Sequence, residues 1–91
     1  MAATRPTRDD LARRLADAFT PLQLEVRDDS HQHAGHAGAR EGRHFSISIT
    51  AEVFRGLPRL ARHRLVYDCL GPLTQQGIHA LAIDARAPDE T

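Results

Sequence analysis

Arg43-His44-Phe45-Ser46-Ile47-Ser48-Ile49-Thr50 places a large apolar residue at every second position. Successive side chains of a strand point to opposite faces, so Phe45, Ile47 and Ile49 share one face while His44, Ser46 and Ser48 share the other. Upstream, Leu22-Gln23-Leu24-Glu25-Val26-Arg27 alternates in the same way. Residues 28–42 separate the two runs; they hold three glycines and no apolar residue larger than alanine. Such a segment has nothing to bury and reads as a loop. The simplest arrangement is two antiparallel strands, each with one buried face, joined by a long connection.

The buried faces need a covering layer, and helical spacing supplies it on both sides. Before the strands, Leu11, Leu15, Ala18 and Phe19 recur at helical intervals, and Thr7 with Asp10 resembles a capping box. Pro21 stops this helix, because a residue preceding proline is pushed out of the α region. After the strands, Thr50 is expected to cap a short helix ending at Phe54 and Gly56. Pro58 then suits the first turn of a longer one. Along that helix Leu60, His63, Val66, Tyr67, Leu70 and Leu73 are expected to form one face, with Arg59, Arg62, Arg64 and Asp68 largely off it. Gly71-Pro72 ends or kinks it.

Ile78-His79-Ala80-Leu81-Ala82-Ile83-Asp84 is almost wholly apolar, the pattern of a strand buried on both faces and hence central or parallel. The element order is α-β-β-α-α-β, an α/β (α+β) fold with a three-stranded mixed sheet and helices packed on one face. Residues 1–6 read as a disordered N-terminus, 7–86 as the domain, and 87–91 as a tail.

Composition limits what such a domain can do. Ninety-one residues, 41% of them apolar, make one small core. The aromatics are only Phe19, Phe45, Phe54 and Tyr67, so Leu, Ile, Val and Ala must fill most of that core. Twelve arginines balance twelve acidic residues, so the net basic excess typical of a nucleic-acid binder is absent. Cys69 is the only cysteine, which excludes an intramolecular disulfide. No leader-like apolar segment and no run of eighteen apolar residues occurs, and a cytoplasmic protein without membrane association is expected. No nucleophile is paired with a base and no glycine-rich phosphate cradle precedes a helix, so nothing supports an enzyme.

The chemistry concentrates in histidine. Three of the six lie in His31-Gln32-His33-Ala34-Gly35-His36, and a fourth, His79, opens the last strand. Imidazole is the commonest protein metal ligand. A stand-alone divalent-metal site of His31, His33 and His36 is one possibility, although a glycine-rich loop loses much entropy in closing on an ion. Cys69, mid-helix beside Leu65 and Leu70, reads as a small buried apolar residue. His44 reads as structural, and His63 as a packed or surface-organising residue.

Phe54-Arg55-Gly56, Ala61-Arg62-His63-Arg64-Leu65-Val66-Tyr67 and Ile78-His79-Ala80-Leu81-Ala82-Ile83 together resemble the BolA family. So do the histidine loop from Asp29 to His36 and the strand opening His44-Phe45. The resemblance spans roughly residues 8–88. It implies a fold similar to class II KH domains and a monomer when alone. It also implies a partnership with a monothiol glutaredoxin in which a [2Fe-2S] cluster bridges the two proteins. The glutaredoxin cysteine and a glutathione thiol would then supply two ligands. Carried over, the strand ligand is His79 and the loop ligand is His33, with His31 and His36 as alternates. Two imidazoles here and two thiolates from outside complete a four-ligand shell. Arg62, His63 and Arg64 are candidates for partner binding, suited to a carboxylate or phosphate. Gly71-Pro72 departs from the family, falling where relatives continue a helix. The competing function is a nucleic-acid-binding transcriptional regulator that uses the KH-like fold. Against it stand the scarcity of stacking aromatics and the lack of a Gly-x-x-Gly loop. Weak DNA binding through Arg55, Arg59, Arg62 and Arg64 is the most it would support.

Overall fold

The computed structural model describes residues 6–29, 43–73, 75 and 77–90. Its elements are α1 (Arg8–Phe19), β1 (Gln23–Asp28), β2 (Arg43–Thr50), a single 3₁₀ turn (Glu52–Phe54), α2 (Arg59–Leu70) and β3 (Ile78–Arg86). β2 is the middle strand, antiparallel to β1 and parallel to β3. This is the α+β architecture expected, with a mixed three-stranded sheet.

α1 begins as the capping box requires. The Thr7 hydroxyl accepts from the Asp10 N–H at 3.2 Å, and the Asp10 carboxylate accepts from the Thr7 N–H at 2.8 Å. These bonds, more than the nearby arginines, hold the Asp10 carboxyl below its usual range. At the other end Thr20 takes the left-handed conformation, φ 46°, and its N–H bonds to the Ala16 carbonyl before Pro21.

Leu11 and Leu15 of α1 meet Val26, Phe45, Ile47 and Ile49 of the sheet, together with Phe54, Val66, Leu70 and Ile78. Both helices thus cover the Phe45 face of the sheet. The Phe19 and Phe54 rings seal one end, with centroids 5.4 Å apart.

Four expectations are corrected. Thr50 does not cap a helix. It stays in β2, and Ala51 follows with its N–H bonded to the Arg86 carbonyl, so only one 3₁₀ turn forms before Gly56 turns the chain at φ 77°. β3 is parallel but not central; it is an edge strand with one face exposed. Its apolar appearance comes from alanine: Leu81, Ile83 and Ala85 pair with inward residues of β2, while Ala80 and Ala82 point outward.

The buried face of α2 is also rotated from the expected one. Val66 and Leu70 are buried, and Leu65 and Cys69 pack beside them. Leu60 and Tyr67 lie outside, 67% and 40% exposed. Finally, the segment after β3 is not a loose tail. Ala87 is fully buried, and Glu90 accepts from the Ala87 N–H and pairs with Arg62. The helix does end where Gly71-Pro72 requires, with Gly71 at φ 82° and its N–H on the Tyr67 carbonyl.

Candidate metal site and partner surface

A one-residue irregularity between β2 and β3 builds the site. Arg43 pairs with Ile78, yet His44 pairs with Ala80, so His79 is an extra residue in the ladder. Such a bulge re-aims the side chain it carries. His79 is exposed, and its ring lies beside that of His44, with centroids 5.3 Å apart and planes tilted by 44°.

The surroundings of this pair are fixed by short backbone contacts. The Asp29 N–H donates to the His44 carbonyl at 2.7 Å, and the Arg43 N–H donates to the Gly77 carbonyl at 3.0 Å. The Ser46 hydroxyl donates to the Asp29 carboxylate, which also faces the Arg27 guanidinium at 3.9 Å. The Arg43 guanidinium lies over the Phe45 ring, 5.2 Å from its centre. His31, His33 and His36 fall outside the described residues. Their segment joins Asp29 to Arg43, so both of its roots stand beside His44.

The Arg62-His63-Arg64 triplet is split by the rotation of α2. Arg62 turns inward, its side chain only 13% exposed. Its guanidinium donates to the Leu57 carbonyl at 2.8 Å and the Ala85 carbonyl at 3.0 Å, and to both Glu90 oxygens at 2.5 and 2.9 Å. Bonds to charged partners of this kind raise the Arg62 pKa and push the Glu90 carboxyl down to about 2. His63 is half-buried in a groove between α2 and β3 that also holds Arg59, Ile83 and Asp84. Arg64 is exposed.

The arginine strip considered for nucleic acid loses two of its four members. Arg62 is held as above, and Arg55 bonds to Glu52 and to Asp89. Of that strip, Arg59 and Arg64 alone carry no ion pair among the described residues. Cys69 is half-buried with its thiol on the Arg14 carbonyl at 3.5 Å, and desolvation pushes that thiol up. A protonated thiol is a poor metal ligand.

A family model described as BolA-like protein matches residues 15–90, and the chain belongs to the BolA family. It is 40% identical over 85 residues to an uncharacterized protein in the cobS 5'region of Sinorhizobium sp, covering 90% of this chain and 91% of that protein. It is 37% identical over 87 residues to mouse BolA-like protein 1, covering 96% of this chain and 62% of that one. Of the plant relatives it spans still less, 51% of Arabidopsis BOLA1 and 22% of Arabidopsis SufE-like protein 1. Among solved structures, the BolA domain of SufE1 from Arabidopsis superposes with a TM-score of 0.80 at 38% identity, with both chains fully covered. The solution structure of BolA1 from Mus musculus gives 0.75 at 38% identity, covering 97% of this chain and 70% of that one. Among the described residues no helix is long and apolar enough to cross a membrane.

The residues present suit a cluster whose thiolates come from elsewhere. The only cysteine is engaged in the helical layer, and two imidazoles stand together at the mouth of the sheet. The sequence alone does not bring His44 and His79 together. Strict alternation puts His44 outward and His79 on the opposite, Leu81 face; only the bulge brings them together.

Proposed function

We propose that this chain is a non-enzymatic binding module that shares a bridging [2Fe-2S] cluster with a monothiol glutaredoxin, in iron–sulfur trafficking or in iron and redox regulation. The observation that carries this reading is His79, an exposed imidazole set by a bulge at the edge of a rigid sheet. His79 would hold iron through a ring nitrogen, and His33, or His31 or His36 in its place, would supply the loop ligand. The partner's cysteine and glutathione would supply thiolates, and the mixed set would place the cluster among histidine-ligated centres of raised potential.

The remaining roles follow from position. Arg64 and His63 offer the partner a cationic and a hydrogen-bonding contact. Arg62 serves this surface from behind, by tying α2 to the segment that ends at Glu90. The chain alone is a monomer, acts in the cytoplasm, and does not hold a cluster without its partner. Nucleic-acid regulation is the weaker reading, since Arg55 and Arg62 are already neutralised.

Coexpression with a monothiol glutaredoxin tests this. A brown heterodimer with visible charge-transfer absorption is expected. A colourless complex, or a stable brown monomer of this chain alone, would overturn it.

A further inference from the structure

We propose that the open edge of β3, where it runs beside α2, is a docking groove for an extended acidic peptide segment, which adds to the sheet as a fourth strand. The site lies along β3 beyond the bulge, uses no metal and does not depend on the cluster reading.

The backbone of β3 shows which groups are on offer. The Ala51 N–H donates to the Arg86 carbonyl, and the parallel pairing with β2 repeats every second residue. Ala82, Asp84 and Arg86 therefore turn their N–H and C=O groups towards β2, and Leu81, Ile83 and Ala85 turn theirs to the open side. The Ala85 carbonyl confirms this parity, since it accepts from the Arg62 guanidinium on α2 rather than from the ladder. Among the described residues nothing bonds to the outward groups of Leu81 or Ile83.

An open edge is a template for another strand, and folded chains blunt their edges to avoid pairing. Here β3 is blunted only at its two ends, by the bulge at His79 and by Arg62 on Ala85. Between them, Leu81 to Ala85 spans about 13 Å at the usual strand rise, with neither proline nor lysine in the stretch. A groove of about 340 Å³ lies along this edge, walled on the other side by α2. An edge strand facing a helix across a groove is the geometry of peptide capture by strand addition.

The walls define the occupant. Residues of an added strand that align with Leu81, Ile83 and Ala85 face α2, and there they meet Leu57, Arg59 and His63. The Asp84 carboxylate is engaged by Arg86 at 3.0 Å, whereas Arg59 is exposed and carries no ion pair among the described residues. The uncommitted charge in the groove is thus positive, and the partner segment carries an acidic side chain and an apolar one two residues apart. A phosphodiester backbone offers acceptors only and would leave the Leu81 and Ile83 carbonyls unmet; a peptide offers both donor and acceptor. A second copy paired through this edge would set two Arg59–His63 walls against each other.

The test uses the full chain and the synthetic peptide acetyl-Thr-Thr-Glu-Thr-Val-Thr-Thr-amide, followed by backbone NMR and amide hydrogen exchange. Saturable shifts along Leu81–Ala85 are expected, with the Leu81 and Ile83 amides becoming protected while the already bonded Ala82 and Asp84 amides change little. Ile83→Pro deletes the outward N–H without removing a bond to β2, and should weaken binding about fivefold, the worth of one hydrogen bond. Should Ile83→Pro fail to fold by circular dichroism, Arg59→Glu, at an exposed position, serves instead. It should weaken binding about two- to fivefold, and a peptide with lysine in place of its glutamate should regain that loss. Absence of shifts, shifts without protection of Leu81 and Ile83, or unchanged affinity in a folded Ile83→Pro chain would overturn the proposal. So would the same protection produced by oligothymidylate, which would make the groove a nucleic-acid site, or by raising the concentration of the chain alone, which would make it a self-association edge.

Discussion

Arg62 and Glu90 are joined by two hydrogen bonds, at 2.5 and 2.9 Å, that close the end of the chain onto α2. The arginine is the less exposed partner and also bonds two backbone carbonyls, so it anchors the contact while the carboxylate completes it. Arg62→Ala should therefore lower the thermal midpoint more than Glu90→Gln does, and should release the backbone around Ala87 to faster amide exchange. Equal effects of the two substitutions would show that the carbonyl bonds contribute nothing.

The same pair has a pH signature. Glu90 titrates at about 2 in the folded chain against an ordinary value of 4.5. A carboxyl with a depressed folded pKa stabilises above its unfolded pKa, and loses that contribution as pH falls through the window between the two. The stability gap between the native chain and Glu90→Gln should be full at neutral pH and shrink steadily from about pH 4.5 downward. A gap that persists near pH 2 would contradict the assignment.

Phe45 is the largest side chain on the inward face of the central strand and is 1% exposed. Phe45→Ala should cost about 3–5 kcal/mol in denaturant unfolding, the usual range for emptying such a site. By contrast His79→Ala, at an exposed bulge, should leave the unfolding midpoint nearly unchanged.

In the glutaredoxin complex the order reverses. His79→Ala should shorten cluster lifetime by at least about tenfold, whereas His33→Ala should shift the spectrum with a smaller loss, since His31 and His36 remain. Visible absorption decay, with circular dichroism as the folding control, reads this directly. A wild-type lifetime in a folded His79→Ala chain would remove the strand ligand.

Binding to DNA should be weak. Arg59 and Arg64 can neutralise about two phosphates, so the logarithm of affinity should fall with the logarithm of salt at a slope of about −2. Sequence-specific binding at physiological salt that disappears on Arg59→Glu and Arg64→Glu would restore the regulator reading.

Local chemistry was legible in the sequence. The alternation around Phe45 and Val26, the Thr7–Asp10 cap and the stop at Gly71-Pro72 all rest on interactions within a few residues, and the structure contains each of them. What escaped depends on partners distant in the chain. Alanine at positions 80 and 82 hides which face of β3 is wet, because its small side chain is compatible with either. The face of α2 could not be read because Arg62 is inward, its charge met by Glu90 and two carbonyls that lie 5 to 28 residues away. The meeting of His44 with His79 depends on the register between two strands joined by a helix, which no local spacing encodes.

The bulge at His79 also separates two kinds of selection. In a regular strand each residue is committed to one face, so changing a functional side chain disturbs the packing of its neighbours two positions away. Here Ile78 and Leu81 keep their places against the core, and Arg43 and His44 keep their partners, whatever side chain stands between them. Position 79 is thereby released from the demands of folding. The domain can exchange one side chain for another there, or lose it, while its hydrophobic interior stays intact.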